Sequence, residues 1–600
     1  MTDYDLLIRN GTIVDGTGAP PFVGSVAVRD GMIVAIGPDV AGTAKETIDA
    51  TGLLITPGFV DVHTHYDGQV TWDDTLEPSF SHGTSTIVVG NCGVGFAPVR
   101  PQDHGKLIEL MEGVEDIPGA ALWEGIRWDW ESFPEYLDAL QGKQWTMDVA
   151  VMATHGPLRL YVMGDRAIND EPATPDDIAQ MASLVAEAVD MGAVGFSSSR
   201  FFGHQTLDGK PVPGTRAEED ELASIGHELG KKGAVFQLIP GGAIGGTGTH
   251  WHDEKSIAFE IDWMSRLSRR ENLTISFLIS EHSGNPLSWS QALDLTDQAN
   301  ATGAVLRPQT GSRPVGMLTG LGLRHIFLRR PTFMRLANLP LDQRVAELKR
   351  PEIKQAILSE ANVPPESSIL ADNLHLIFAQ MLDGRIFPLG NPVNYEPPPE
   401  DAVSAQAEQL GISAEERFYD LMLEQEGRAV LFAPILNYLH GNFDTLHSLL
   451  SHPSTIVALG DGGAHCSLVC DSSTTTHLLT HWVRDRKRGP RFDLEHVIHK
   501  QTAETAALFG FTDRGVLAPD MRADINVIDF ERLTLKPPYA VNDLPAGGRR
   551  VLQGATGYVA TIVHGVVTRR NDTDTGARPG RLLRKTRPVS AITAELRVAP

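Results

Sequence analysis

Two histidines and a cysteine in the stretch 57–98 are the side chains of this sequence best suited to metal chemistry. His63 and His65 stand at alternate positions at the end of an apolar run, and Cys92 ends the next β-rich run. Since alternate residues of a strand point to the same face, both imidazoles can project into one pocket. Neutral imidazole nitrogens suit Zn²⁺, so we predict a metal site here. Two alternatives stay open: a histidine that satisfies polar groups of the core, and a buried cysteine that packs as a small hydrophobe.

A carboxylate in the second half of the chain is the next candidate. Asp461 directly follows an apolar, β-like run at 455–459, where the last strand of a sheet would deliver it. Metal-bound water can have a pKa of about 7, so a carboxylate beside it can take its proton near neutral pH. The alternative is a simple turn, because Asp461 lies in Gly-Asp-Gly-Gly-Ala-His.

The elements that must position these residues fall into two kinds. Short β-like pieces crowd both ends of the chain, at 5–36 and at 523–567, and the long middle alternates strands with helices. In the middle, Thr174 is an N-cap before Pro175, and Thr215 with Glu218 forms a capping-box pattern before a second helix. Repeated βα units imply a parallel sheet or barrel with its chemistry at the carboxyl ends of the strands.

This pattern predicts an α/β chain with two domains. Residues 1–56 and 515–600 together form a small β domain, and residues 57–514 form the catalytic domain between them, with an irregular insertion around 285–415. The proline-rich tract 391–401 is consistent with either a linker or a lid.

Composition limits the partners and the compartment. The formal charge of -25 over 600 residues repels phosphate, so nucleic acid and anionic membrane surfaces are not expected partners. Three cysteines do not suggest a disulfide framework, and there is no signal-like or membrane-spanning apolar segment, so we expect a cytoplasmic protein with a small-molecule substrate. The sequence leaves homo-oligomer formation open.

Several motifs carry a resemblance to a known family. They are PGFVDVHTHYD at 57–67, HGTSTIVVGNCGVGFAPV at 82–99, HGPLRLYVMG at 155–164, GAVGFSS at 192–198, LGDGGAH at 459–465, and the terminal segments DLLIRNGTIVDGTG and GVLAPDMRADINVIDF. The sequence resembles the amidohydrolase superfamily, and within it the N-acyl-D-amino-acid deacylase (D-aminoacylase) group. The first hundred residues match strongly, and residues 200–420 match poorly.

The resemblance implies a (β/α)8 TIM-like barrel, a small β-sandwich domain built from both chain termini, and zinc at the barrel mouth. It also implies that Cys92 is a thiolate ligand and that Asp461 lies beside the metal and exchanges a proton with the attacking water. Members of the group remove acyl chains from D-amino acids by hydrolysing an amide bond.

The sequence departs from this group at two metal ligands. The group carries two further histidines at the ends of two middle strands, where this chain has Gln237 and, on the next strand, Phe277 or Leu278. An amide is a weak ligand and an aromatic ring is none. We therefore expect one Zn²⁺ held by His63, His65 and Asp461, with Cys92 nearby or ligating, and no second ion. The nearby histidines that can substitute are His250, His252 and His282, but we expect each of them to be a loop or surface histidine.

Candidate substrate contacts are His155, His465 and Gln237. Arg200 and Arg313 can bind a substrate carboxylate, or lie on a solvated face. We predict a metal-dependent hydrolase of the amidohydrolase type, in which metal-activated water attacks the amide of an N-acyl amino acid or a related small molecule and Asp461 shuttles the proton. The alternatives are a hydrolase of a cyclic amide, ester or lactone on the same site, and a non-catalytic barrel that serves as a binding module.

Overall fold

The computed structural model describes residues 2–244, 255–365 and 370–585. Its strands, in chain order, are β1 Tyr4–Ile13, β2 Phe22–Arg29, β3 Met32–Gly37, β4 Ala44–Asp49, β5 Leu54–Pro57, β6 Phe59–Asp61, β7 Thr84–Val89, β8 Asp148–Thr154, β9 Gly195–Ser199, β10 Val235–Ile239, β11 Thr274–Leu278, β12 Val305–Thr310, β13 Gly316–Thr319, β14 Phe387–Pro388, β15 Leu431–Pro434, β16 Ile456–Val457, β17 Ile525–Ile528, β18 Thr534–Leu535, β19 Tyr539–Leu544, β20 Gly548–Leu552, β21 Ala555–Thr556, β22 Tyr558–Val563, β23 Val566–Arg570, β24 Thr573–Asp574 and β25 Leu582–Leu583.

The α-helices are α1 His104–Glu115, α2 Gly119–Gly125, α3 Phe133–Gln141, α4 His155–Met163, α5 Asp165–Ile168, α6 Pro175–Asp190, α7 Glu219–Lys232, α8 Ile257–Glu271, α9 Ser288–Ala301, α10 Pro331–Leu336, α11 Leu341–Leu348, α12 Pro351–Ser359, α13 Leu370–Met381, α14 Val403–Leu410, α15 Ala414–Met422, α16 Glu424–Gly427, α17 Asp444–Ser451, α18 Thr474–His477, α19 Leu494–Gln501 and α20 Ala503–Leu508. A π-helix at Leu478–Asp485 continues α18. None of the helices in the described ranges is long and apolar enough to cross a bilayer.

A curled sheet of eight parallel strands forms the centre of the molecule. Its order is β6-β7-β8-β9-β10-β11-β12-β16, and β25 adds to β8 from the far end of the chain. After the first and last strands, the Asp461 amide donates to the His63 carbonyl (3.0 Å), and the His65 amide donates to the Gly462 carbonyl (2.7 Å). The carboxyl ends of these two strands therefore meet, and the predicted parallel α/β core is confirmed.

Strands from both ends of the chain share a second sheet, in the order β24-β23-β22-β17-β5-β1-β2-β3, with β4 on β1. Its buried face is aliphatic and includes Ile8, Val26, Ile55, Ile525 and Ile562. The β-sandwich form of this region and the domain boundaries stay predictions.

Of the two helix caps predicted from the sequence, the structure shows the one at Thr174 and lacks the one at Thr215. Thr174 and Asp177 form a capping box at the start of α6, whose apolar face is buried. The capping box predicted for Thr215 and Glu218 is wrong: Glu218 itself is the N-cap of α7, without a side-chain cap. The Thr215 hydroxyl instead donates to the Val212 carbonyl at 2.8 Å, because a local turn competes with capping.

The segment between β12 and β16 adds the small antiparallel sheet β13-β15-β14 and helices α10–α16, which share an apolar core of their own. Within the proline-rich tract, Tyr395 and Glu396 are buried. The Glu396 carboxylate accepts hydrogen bonds from His481 (2.9 Å) and Arg486 (3.1 Å), so this tract packs against the π-helix region.

A buried charge cluster joins the two sheets at the amino end of β8. The Arg514 guanidinium donates to Asp148 at 2.7 Å and lies 3.7 Å from Asp524, and Arg522 also pairs with Asp148. Arg514, Asp148 and Asp524 are each at most 4% exposed. This cluster lies at the opposite end of the strands from the predicted site.

Candidate metal centre

The four predicted metal ligands converge at the carboxyl ends of the parallel strands. His63 and His65 follow β6, Cys92 follows β7 and Asp461 follows β16. The Cys92 Sγ lies 3.4 Å from His63 Nε2 and 3.7 Å from His65 Nε2. The Asp461 Oδ1 lies 3.6 Å and 3.9 Å from the same two nitrogens.

The separations between Cys92 and the two histidines fit a tetrahedral metal ion, whereas the Asp461 separations of 3.6 and 3.9 Å are longer than such an ion requires. With zinc–nitrogen bonds of about 2.0–2.1 Å and a zinc–sulfur bond of about 2.3 Å, tetrahedral angles require about 3.6 Å between sulfur and nitrogen and about 3.4 Å between oxygen and nitrogen. The observed sulfur–nitrogen distances of 3.4 and 3.7 Å bracket the first value. The donor atoms of His63, His65 and Cys92 all lie within 4.8 Å of one another, so the residues present can hold such an ion.

Local backbone geometry aims the thiol at the histidines. Cys92 has a left-handed φ of 56°, and Gly93 follows with a φ of 74°. A Cβ on Gly93 would lie 3.1 Å from the Ser198 backbone, so only glycine allows this close approach between the ends of β7 and β9.

Each imidazole presents Nε2 to the cluster and Nδ1 to a partner outside it. The His63 Nδ1 lies 2.9 Å from the Gln309 Oε1, and the Gln309 amide in turn donates to the Ser276 hydroxyl at 2.9 Å. The His65 Nδ1 faces the Glu115 Oε1 at 3.4 Å. An amide or carboxylate oxygen must accept from Nδ1–H, and this leaves the Nε2 lone pair for a metal.

Burial dominates the electrostatics of the cluster. It lowers the pKa of His63 to about 4 and raises the pKa of Asp461 well above its usual range. It also raises the pKa of the Cys92 thiol, with a further contribution from Glu115 and Asp461. A bound cation would reverse this cost for the thiolate and the carboxylate and would favour neutral imidazole.

The two middle strands bring no histidine to the cluster. On β10, the Gln237 Oε1 accepts from the Cys92 amide at 3.2 Å, and its Nε2 is buried without a hydrogen-bond partner among the described residues. The parallel register pairs Gln237 with Ser276, so Ser276 rather than Phe277 or Leu278 occupies the equivalent level of β11.

Of the three histidines considered as substitutes, His282 is described by the structure, and it does not join the cluster. The His282 Nε2 lies 3.2 Å from the Gly242 carbonyl, in the loop after β10, and 3.0 Å from the Ser288 hydroxyl at the start of α9, so this ring is engaged outside the cluster. His250 and His252 lie outside the described residues.

The structure gives the predicted substrate contacts different surroundings. Both ring nitrogens of the buried His155 are engaged, with the Ser198 hydroxyl (2.8 Å) and Glu221 (2.7 Å), and Arg159 pairs with the same glutamate. His465 is one-third exposed and borders the cluster through Glu115, at 3.7 Å.

The two predicted arginines are both paired within the protein. The Arg200 Nε donates to Glu260 at 2.9 Å, and the Arg313 guanidinium donates to Asp471 at 3.0 Å. Arg313 also lies over the Tyr395 ring, 3.8 Å from its centroid.

Three residues of the site were missed in the sequence. Gln309 and Glu115 contact the histidines directly. The third residue is His204: burial lowers its pKa to about 3, with further contributions from the nearby His465 and His63. Only Glu115 could have been found from the sequence, because it lies four residues after the buried Met111 and so on the buried face of α1, where an acidic residue is unusual.

Comparison with known proteins decides the family. The model of the amidohydrolase family matches residues 46–569. This chain belongs to the amidohydrolase family. Family membership and the deacylase relatives support metal-dependent hydrolysis of carbon–nitrogen bonds, and the predicted resemblance to the D-aminoacylase group is confirmed.

Among its relatives, D-aminoacylase of Alcaligenes xylosoxydans xylosoxydans is 30% identical over 280 residues, which cover 46% of this chain and 50% of that protein. N-acyl-D-aspartate deacylase of the same organism is 26% identical over 543 residues and covers 88% of this chain and 86% of its own length.

Solved structures show the same fold. A D-aminoacylase structure aligns with a TM-score of 0.63 at 23% identity, over 97% of this chain and all of that one. N-acyl-D-glutamate deacylase from Bordetella bronchiseptica, in complex with zinc and a phosphonate mimic of the tetrahedral intermediate, aligns with a TM-score of 0.61 at 22% identity, over 97% of this chain and all of that one.

Proposed function

We propose that this amidohydrolase cleaves the amide bond of an N-acyl amino acid or a closely related small molecule, with a single zinc ion. The observation that carries the proposal is the convergence of His63, His65 and Cys92 at distances that suit tetrahedral zinc, with the Asp461 carboxylate beside them. Relatives named as deacylases of N-acyl-D-amino acids support this substrate class.

A single ion is favoured by what the neighbouring strands supply. Gln237 and Ser276 offer an amide and a hydroxyl, which are weak ligands, and the His63 and His65 rings direct one nitrogen each to the cluster. When bound, the ion polarises a carbonyl and lowers the pKa of water.

The chain's own residues supply the proton transfers and the orientation. Asp461 is the most exposed of the four, at 11%, so its carboxylate can face both the metal and an incoming substrate. It takes the proton of the attacking water and returns it to the leaving amine nitrogen. Gln309 fixes the His63 tautomer, and His465, at the edge of the cluster, is placed to contact the substrate.

A second candidate is hydrolysis of a cyclic amide, ester or lactone on the same site. The observation that favours it is the pairing of Arg200 with Glu260 and of Arg313 with Asp471, since a paired guanidinium offers less to a substrate carboxylate. A substrate without a free carboxylate needs no such partner.

A substrate panel separates these candidates. Zinc-reconstituted protein is assayed against N-acetyl-D- and N-acetyl-L-amino acids, the matching N-acetyl amines, hydantoins and lactones. We expect turnover of N-acetyl amino acids, with N-acetyl amines at least tenfold slower. Turnover of hydantoins or lactones alone would contradict the deacylase assignment. If His63→Ala kept its metal and changed no activity, a non-catalytic binding module would be the better description.

We further propose a reducing, cytoplasmic compartment and a small-molecule substrate as the only partner that the site requires. All three cysteines are free thiols in the structure, which is consistent with such a compartment. Homo-oligomer formation is a question for sedimentation analysis of the purified protein.

A further inference from the structure

Glu115 is a buried carboxylate that no lysine or arginine of the described residues neutralises. It is the last residue of α1 and is 2% exposed. Two imidazoles lie against it: the His65 Nδ1 is 3.4 Å from its Oε1, and the His465 Nε2 is 3.7 Å from its Oε2. The carboxyl groups of Asp461 and Asp67 are also close enough to add to the effect of burial in raising its pKa.

Two physical effects oppose an acid at this position. An ionised carboxylate loses its hydration on burial, and at the carboxyl end of a helix it also meets the negative end of the helix dipole. An uncompensated acid in such a place destabilises the fold, so it is most readily explained by a role at the adjacent site.

The two histidines of the cluster show what that role is. The rings of His63 and His65 both direct Nε2 at Cys92, and both direct Nδ1 away from it. The His63 Nδ1 meets the Gln309 amide oxygen. The His65 Nδ1 and the Glu115 Oε1 are both buried, and neither has a hydrogen-bond partner among the described residues. At 3.4 Å the two atoms are close enough for a hydrogen bond to form between them with a small change of alignment. Metal-bound histidines commonly donate their second N–H to a carboxylate or carbonyl oxygen.

We propose that Glu115 is a positioning residue for the metal centre: it accepts the Nδ1–H of His65 and thereby fixes the tautomer and the ring orientation that present Nε2 to the ion. This proposal rests on the proposed metal site and assigns a carboxylate–histidine–metal arrangement to one of its two histidines, while Gln309 serves the other with a neutral oxygen.

The same helix end also holds the loop that carries Asp461. The backbone amide of His465 donates to the Glu115 carbonyl. The next residue, Asp116, accepts from the Ser467 amide at 3.1 Å and from the Ser467 hydroxyl at 2.5 Å. The end of α1 therefore positions ligands from the first and last strands of the sheet relative to each other.

The test compares Glu115→Gln and Glu115→Leu with Glu112→Gln. Glu112 is half-buried one turn earlier on the same helix, so its substitution makes the same charge change away from His65. Zinc affinity is measured by chelator competition, and the melting temperature is measured on the metal-free proteins. Cobalt-substituted samples report the ligand field through their visible spectrum.

We expect zinc to bind about 10-fold more weakly to Glu115→Gln and about 100-fold more weakly to Glu115→Leu, the range found for outer partners of metal ligands. The cobalt spectrum shifts in both variants, and neither metal-free variant melts below the wild type, because each loses a buried acid that no lysine or arginine of the described residues neutralises. Glu112→Gln changes none of these quantities.

Zinc affinity within twofold of the wild type in both Glu115 variants would overturn the proposal. A fall in affinity that only follows a lower melting temperature of the metal-free protein would also overturn it, since it would show a purely structural role. His63→Ala, measured in parallel, separates the two claims: if that variant also kept its zinc, the proposed metal site itself would be wrong.

Discussion

Replacing Cys92 by serine tests the least ordinary ligand of the proposed centre. Serine keeps the size of the side chain and suits the left-handed φ of 56° no worse than cysteine, and the hydrogen bond from the residue 92 amide to Gln237 uses only the backbone. The change therefore removes the thiolate and little else.

The expected magnitude follows from the ligand set. Four donors surround the site, and the sulfur lies 3.4 and 3.7 Å from the two imidazole nitrogens. Zinc bound by four protein ligands contributes about 10–16 kcal/mol, so one ligand in four corresponds to about 2.5–4 kcal/mol. This equals a loss of affinity of roughly 100- to 1,000-fold.

The assay is zinc content after dialysis against a graded series of chelators, and the controls are Cys466→Ser and Cys470→Ser. Both of those thiols are free and buried like Cys92, but they lie outside the histidine cluster. We expect zinc loss in Cys92→Ser alone. If Cys92→Ser retained zinc as well as the two control variants did, the thiol would be a packing residue and the assignment would fail.

Three further predictions concern catalysis and stability. Asp461→Asn should lower kcat by about 10²- to 10⁴-fold in zinc-saturated steady-state assays, and unchanged kcat would remove its role in proton transfer. Burial raises the pKa of Glu396, but its histidine and arginine partners outweigh this and lower it to about 2. The melting-temperature advantage of the wild type over Glu396→Gln should therefore be constant above about pH 4.5 and shrink as the pH falls towards 2; an advantage independent of pH would contradict the ion pair. Arg514→Leu leaves Asp148 with one cation and should cost about 3 kcal/mol in denaturant unfolding, whereas the exposed Arg532→Leu should cost under about 1 kcal/mol; equal costs would refute the buried cluster.

The sequence predicted the parts of the site that depend on local pattern. Alternation after an apolar run located His63 and His65, and the motif after a late strand located Asp461. Their convergence could be predicted because a parallel sheet brings the carboxyl ends of its strands together, whatever the length of chain between them.

The outer partners could not be predicted in the same way. Glu115 contacts both His65 and His465 because α1 ends beside the loop after the last strand. These partners are 50 and 350 residues away from Glu115 in the sequence, so no local pattern relates them to it. Gln309 lies near the end of β12, and nothing in the sequence distinguishes it from other polar residues at strand ends. Ser276 could not be identified as the partner of Gln237 because the sequence does not give the register between β10 and β11. A shift of one residue in that register exchanges the two faces of a strand.

The most direct test of the central claim is anomalous diffraction at the zinc edge from crystals of the purified, zinc-reconstituted protein. We predict one anomalous peak per chain, bounded by His63, His65, Cys92 and Asp461. The absence of a peak there, or a second peak of equal height beside Gln237 and Ser276, would contradict a single-zinc centre.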